Sequence, residues 1–301
     1  MPQVRLLRLV LPLPELHWFD SFLSPCFQFL IDSSFWTAAA LASLAFYVQQ
    51  TLNLSPDLRP IALIFCAALT FYNLDRVADA RQPNSSEDQK LAFFRSPAIL
   101  LLMLGSGIAT VLLLVQAPIA VQQVSLVGLV SLAYGIPLLP IKQDGQTRWY
   151  RIKDIPGAKA WIVCGTIAFA LTAVPLAYAN QSFTPAAILT GIFLLVMTGS
   201  NAHVFDIRDL EDDRTQGVPT LPVLLGVLPT RILLTGMNAI GITALLGGWV
   251  NGWNVPSVAI VLPLTLLTLI YIWTVDPETG RSIYTVWIDG LLFLPALGVW
   301  L

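Results

Sequence analysis

The chain has 301 residues, 56% of them hydrophobic and 11% charged, with a formal net charge of −2. Soluble domains carry about 25% charged residues, so the composition excludes an ordinary soluble domain, and the charge excludes a basic nucleic-acid-binding protein. Cys26, Cys66 and Cys164 stand alone in apolar sequence with no C-x-x-C or His/Cys cluster, which excludes a disulfide framework and a zinc centre.

Taken in chain order, residues 1–13 place Arg5 and Arg8 around a short apolar run that lacks an A-x-A-like cleavage site, and do not read as a signal peptide. Residues 14–32 are rich in aromatics but interrupted by Glu15, Asp20, Pro25 and Asp32, so residues 1–32 are predicted to form an interfacial segment. From 33 to 301 the apolar runs fall at about 33–53, 60–79, 97–116, 118–138, 158–179, 184–205, 231–250, 256–275 and 283–301. Each is near the roughly 20 residues a bilayer demands. Runs of this length are helices, since only helices or closed barrels satisfy their backbone in lipid. The expected fold class is all-α: a polytopic bundle of nine transmembrane helices.

Nine spans would put the N-terminus and every even-to-odd loop on one side. Of the 16 Lys and Arg residues, that side collects all but Arg59. Positive residues accumulate in cytoplasmic loops, so the N-terminus and the loops at about 80–96, 139–157 and 206–230 are predicted to be cytoplasmic. Part of this charge would face lipid headgroups.

Two acidic stretches end otherwise apolar runs, Asp75-Arg-Val-Ala-Asp79 and Asp206-Ile-Arg-Asp-Leu-Glu-Asp-Asp213, and each holds a D-x-x-x-D pair. Residues i and i+4 share a helix face, where like charges repel. Two such pairs in a chain so poor in charge make sense if a cation sits between the carboxylates. Mg²⁺ binds through one or two carboxylates plus substrate phosphates, which points to a membrane enzyme handling a diphosphate. Asn201, Phe205, Asp209 and Asp213 form one stripe, bordered by Asp206, and Phe71, Asp75 and Asp79 form another, with Asn73 and Arg76 pointing elsewhere. Glu211 and Asp212 read as a solvated helix end.

These residues resemble the UbiA superfamily of intramembrane prenyltransferases, most specifically at 71–81, 134–160 and 206–226. That family has nine transmembrane helices, an N-D-x-x-D-x-x-x-D motif after the second and a D-x-x-x-D motif after the sixth. In the family Mg²⁺ bridges both motifs to a prenyl diphosphate. The resemblance implies that Asp75, Asp79, Asp209 and Asp213 are metal ligands. The leading Asn-Asp of the first motif falls on Phe71 and Tyr72, however, and Asn73 comes two residues late. That turns Asn73 about 200° around a helix of 3.6 residues per turn, leaving Asn201 as the candidate to compensate.

The family also implies a Tyr and a Lys on the diphosphate, matched here by Tyr134 and Lys153. Arg76 and Arg208 are further candidates, because fixed cations stabilise charge where it develops. Asn73, Arg76, Tyr134, Asn201, Asp206 and Arg208 are thus the expected substrate-binding residues, with Lys153 beside the four acids in catalysis. Phe71, Tyr72 and Phe205 either stabilise an allylic cation or simply pack. His203 reads as an interhelical contact or a base, and Asp289 as a structural hydrogen bonder or part of an acceptor pocket.

The implied reaction is transfer of a prenyl group from a polyprenyl diphosphate to an aromatic or other lipophilic acceptor, with Mg²⁺ as cofactor. A terpene synthase of the same superfamily is the nearest alternative. A transporter with an acidic cation site is a third, disfavoured because the acids crowd one membrane edge rather than the midplane.

Overall fold

A computed structural model describes residues 25–80, 93–94, 96–133, 137–143, 146–152, 155–280 and 283–300. Of the expected interfacial segment 1–32, only Pro25–Asp32 falls among these, as helix α1. It ends at Ser33-Ser34, where Ser34 takes a left-handed φ of 60° and both serines are buried. The chain turns there into α2, Phe35–Thr51.

Helix α2 is apolar on every side, as a helix at the centre of a bundle should be. Its buried residues include Ala38, Ala40, Ala42 and Ala45 beside Leu41 and Leu44, and such small residues let neighbouring helices approach closely. Helix α3, Leu58–Ala80, packs along α2 on one side and on the other meets α4, Pro97–Val115. Asp57 caps α3: its Oδ1 accepts from the Arg59 backbone N–H at 2.9 Å, while the Arg59 side chain grips both carboxylate oxygens at 2.7–3.0 Å. Helix α4 begins in the manner expected of Ser-Pro, with Ser96 Oγ accepting from the Ile99 N–H at 3.4 Å. Its outer side exposes Leu101, Leu104, Ile108 and Val115, the face a lipid-contacting helix presents.

The predicted fourth span is not one helix. It divides into α5, Ile119–Ser125, and α6, Gly128–Ala133. Gly128 lies against Phe71 of α3, whose ring would stand 3.3 Å from any Cβ added there. A β-hairpin follows, with β1 (Pro137–Gln143) antiparallel to β2 (Gln146–Arg151). It is an exception to the all-α expectation, confined to the loop that joins helices.

Helices α7, Ala158–Tyr178, and α8, Pro185–Arg208, pack closely along each other. Thr184 caps α8 by accepting from the Ala187 N–H at 3.2 Å. A short α9, Leu210–Thr215, and α10, Leu221–Leu225, lead to α11, Val227–Val250, and α12, Val258–Thr274. The last predicted span unwinds into a π-helical turn at Ile283–Ile288, a 3₁₀ turn at Leu291–Phe293 and α13, Leu294–Gly298.

Among the described residues, five helices are long and apolar enough to cross a membrane: Leu58–Val77, Pro97–Val115, Ala158–Tyr178, Pro185–Arg208 and Val227–Val250. Three shorter apolar helical segments, Ile119–Val130, Val258–Thr274 and Ile283–Gly298, fall where further spans were expected. Hydropathy located the runs, but breaks and tight turns shorten several helices below spanning length. Among the described residues, the count of nine full-length spans is therefore not confirmed.

Two contacts show how the helix ends are arranged. Arg59, at the start of α3, lies 5.1 Å over the ring of Tyr178 at the end of α7. At the opposite end of α7, Lys159 reaches Asp213 just past the end of α8, at 3.1 Å. The starts and ends of these helices thus gather on opposite faces of the bundle, and the acidic motif shares its face with the start of α7.

Candidate active site

Between α2, α3, α4, α5, α6 and α7 lies a cavity of about 190 Å³. Its walls are apolar apart from a few hydroxyls, with Leu63, Ala67 and Phe71 from α3 facing Ile167, Ala170 and Leu171 from α7. One carboxylate lines it: Asp75 of the first acidic motif, next to Tyr72. An oily compartment edged by a single acid is the shape expected for a lipid chain carrying an anionic head bound through a cation.

Asp79 lies in the last turn of α3, and its side chain is outside those described. Asn73 and Arg76, expected near a substrate, turn away from the cavity, as their register on the helix predicts. Asn73 is fully buried and donates to the carbonyls of Ser33 (2.7 Å) and Leu69 (2.8 Å). Arg76 donates to the carbonyls of Asp32 (2.8 Å) and Ile31 (3.4 Å). A cation satisfying the last carbonyls of a helix is a favourable C-terminal arrangement, so Arg76 ties the end of α1 to α3. Tyr134 and Lys153 lie outside the described residues.

The second acidic motif is built differently from the continuous helix its spacing suggests. Helix α8 stops at Arg208, and Asp209 adopts φ −89°, ψ 13° before α9 begins. Asp209 accepts two hydrogen bonds of 2.7 Å from the Arg208 guanidinium. That guanidinium lies 4.6 Å over the ring of Phe205 and 5.6 Å over that of Tyr284. Asp213 turns to another partner, with Lys159 Nζ 3.1 Å from its Oδ1 and 3.8 Å from Asp206 Oδ1. Both acids are buried, with relative exposures of 6% for Asp206 and 5% for Asp213. The Oδ2 of each has no hydrogen-bond partner among the described residues. Burial raises the Asp213 carboxyl above the usual carboxylate range, and the Lys159 ammonium pulls it back down.

Lys159 went unread in the sequence because it looked like one more basic loop residue. The available signal was its place in the first turn of an apolar helix, where a cation opposes the helix dipole and so calls for a carboxylate partner.

Asp289 links the halves of the molecule. It follows the π-helical turn and is buried, accepting from Thr37 Oγ1 of α2 at 2.7 Å and from Asn201 Nδ2 of α8 at 3.0 Å. Asn201 is therefore committed to Asp289 through its amide nitrogen, while its Oδ1 has no partner among the described residues. His203 is buried edge-on to Trp161, with its Nδ1 3.6 Å from Asp206 Oδ2, too far for a hydrogen bond.

The unpartnered, buried oxygens of Asp206 and Asp213 are hard donors suited to Mg²⁺. Among the described residues, however, no three His, Cys, Asp or Glu side chains lie close enough together to hold one metal ion. Helix α7 packs against both α3 and α8, the two helices that carry the acidic motifs.

The model of the UbiA prenyltransferase family matches residues 95–294. A curated relative, the digeranylgeranylglyceryl phosphate synthase of Haloquadratum walsbyi, is 28% identical over 95 residues, covering 31% of this chain and 33% of the relative. That match spans about a third of the relative's length. Among solved structures, a UbiA homolog from Archaeoglobus fulgidus bound to GPP and Mg²⁺ superposes with a TM-score of 0.58 at 12% identity, covering 90% of this chain and 98% of that one. A UbiA homolog from Aeropyrum pernix superposes with a TM-score of 0.56 at 15% identity, covering 87% and 94%. At such identities the likeness shows the fold.

Proposed function

Since this chain belongs to the UbiA prenyltransferase family, we propose that it transfers a prenyl group from a polyprenyl diphosphate to an aromatic or other lipophilic acceptor. The observation that carries this reading is the apolar cavity with Asp75 on its lining. A prenyl tail would lie among Leu63, Ala67, Phe71 and Ile167, with its diphosphate toward Asp75.

Mg²⁺ is the cofactor we propose, consistent with the A. fulgidus UbiA homolog being bound to DMAPP and Mg²⁺ in one structure and to GPP and Mg²⁺ in another. Asp75, Asp79, Asp209 and Asp213 are the residues that would hold it, with Asp206 adjoining. When bound, the metal neutralises charge on the leaving diphosphate. The chain's own residues do the rest. Arg208, oriented by the Phe205 and Tyr284 rings, would exchange Asp209 for a diphosphate oxygen, and Lys159 stands ready on the same rim. Lys153 and Tyr134 remain candidates for the same contact. Apolar walls exclude water from the reacting carbon, and the faces of Phe71 and Tyr72 are placed to favour positive charge on the allyl group. Tyr72 lines the tail cavity beside Asp75, and the acceptor would enter from the bilayer toward the Asn201–Asp289 pair.

We further propose nine spans with the acidic rim on the cytoplasmic side, supported by the bias of Lys and Arg. Products of the purified protein, incubated with Mg²⁺ and prenyl diphosphates of several lengths with and without lipophilic acceptors, would be identified by mass spectrometry. A prenylated acceptor is the expected result. A hydrocarbon or alcohol formed at a rate indifferent to acceptor would replace this reading with the synthase. No diphosphate release at all would leave binding or transport.

A further inference from the structure

The place of Lys159 is fixed from two sides. Gly157, immediately before α7, takes φ 71°, and its N–H donates to the Pro219 carbonyl at 2.7 Å. A Cβ there would stand 3.1 Å from Leu221 Cδ2. The segment accepting that hydrogen bond is in turn anchored on the acidic motif, because the Val218 N–H donates to the Asp213 carbonyl at 2.8 Å. The first turn of α7 is therefore clamped to the chain just beyond Asp213. The clamp sets the ammonium 3.1 Å from Asp213 and 3.8 Å from Asp206. An ammonium in the first turn of a helix opposes the dipole, so local helix energetics do not put it there; the two buried carboxylates do.

We propose that Lys159 is a built-in cation of the diphosphate site. It stands between Asp206 and Asp213 where a further metal ion would otherwise be held, so the chain binds one metal ion fewer than its carboxylates allow. Two buried acids flank the ammonium, and Asp206 Oδ2 has no hydrogen-bond partner among the described residues; together with a substrate phosphate, two such carboxylates would suffice for a divalent ion. The tethered ammonium fills the centre of that site and cancels half of its charge. The inference rests on the diphosphate reading above and assigns to this chain a particular division of labour between protein and metal.

The test counts metal ions. Detergent-purified protein is titrated with Mn²⁺ in the presence of inorganic pyrophosphate, and bound Mn²⁺ per chain is read from the loss of the free-ion signal in electron paramagnetic resonance. Lys159→Met is expected to bind one Mn²⁺ per chain more than the parent, and Lys159→Arg, which keeps the cation, the same number as the parent. If Lys159→Met is not monodisperse, Lys159→Gln carries the same expectation. Equal counts in the parent and the neutral variant would overturn the inference and leave the prenyltransferase reading standing. Absence of pyrophosphate-dependent Mn²⁺ binding from every form would overturn both.

Discussion

Asp289 and Asp57 show what a single carboxylate does at different depths. Asp289 accepts from Thr37 and Asn201 within the bundle, where a polar group without a partner is costly. Replacing it by Ala strands both donors, and each buried unsatisfied group costs about 1–3 kcal/mol. Asp289→Ala should thus lower the Tm in detergent well below that of Asp289→Asn, which keeps one acceptor oxygen; equal melting of the two variants would contradict the hydrogen-bonding role. Asp57 sits at the end of the bundle, capping α3 and gripped by Arg59, whose hydrogen bonds hold its carboxyl below the usual range. A carboxyl depressed in the folded state stabilises above its unfolded pKa, and the contribution fades as pH falls through the folded value. The Tm gap between the parent and Asp57→Asn should be open at neutral pH and close in acid. A gap independent of pH would mean that Asp57 acts only by its shape.

At the scale of elements, the apolar runs and caps were readable because each has a local cause. Ser96-Pro97 and Thr184-Pro185 start helices where Ser/Thr-Pro pairs should. What could not be read was continuity. The D-x-x-x-D spacing assumes one helix through Asp209, but α8 ends there, and Asp213 finds Asp206 across Lys159 instead. The partner is distant in the chain, so no local pattern announces it. The hairpin was legible and missed: Asp144-Gly145 between two short β-prone runs is a strong two-residue turn signal. The cavity likewise arises only when α3 and α7 face each other. Its volume of about 190 Å³ gives room for a short prenyl chain. Ala67→Phe should therefore raise the KM for longer donors by on the order of tenfold, about 1.4 kcal/mol, with a smaller effect on the shortest one. Donor preference unchanged by Ala67→Phe and by Ala170→Phe would mean the tail lies elsewhere.

At the scale of the molecule, five full-length membrane helices and three shorter apolar segments among the described residues meet a sequence with nine apolar runs. Hydropathy and charge bias argue for nine crossings, while helix lengths support five outright. The broken segments at Ile119–Val130 and Ile283–Gly298 are covered partly by neighbours, and non-helical backbone is tolerated at membrane depth when it is buried in protein. The two contacts at the ends of α7, Arg59 on Tyr178 and Lys159 on Asp213, already require the α7–α8 connection and the acidic motif to lie on opposite faces. In the proposed orientation the face rich in Lys and Arg is the cytoplasmic one. Single cysteines placed at Asn180 and Glu211, in a background without Cys26, Cys66 and Cys164, would be labelled with a membrane-impermeant thiol reagent in intact cells and in inverted vesicles. Glu211→Cys should react only in inverted vesicles and Asn180→Cys only in intact cells. Both reacting from the same side would break the arrangement of α7 and α8, and a clean reversal would keep the fold but place the diphosphate site outside. The shortened segments lie between α4 and α7 and from α12 onward. A cysteine at Gln116 should label from outside and one at Glu278 from the cytoplasm if the shortened segments cross; Gln116→Cys reacting on the outside while Glu278→Cys also did so would mean that Val258–Thr274 does not cross.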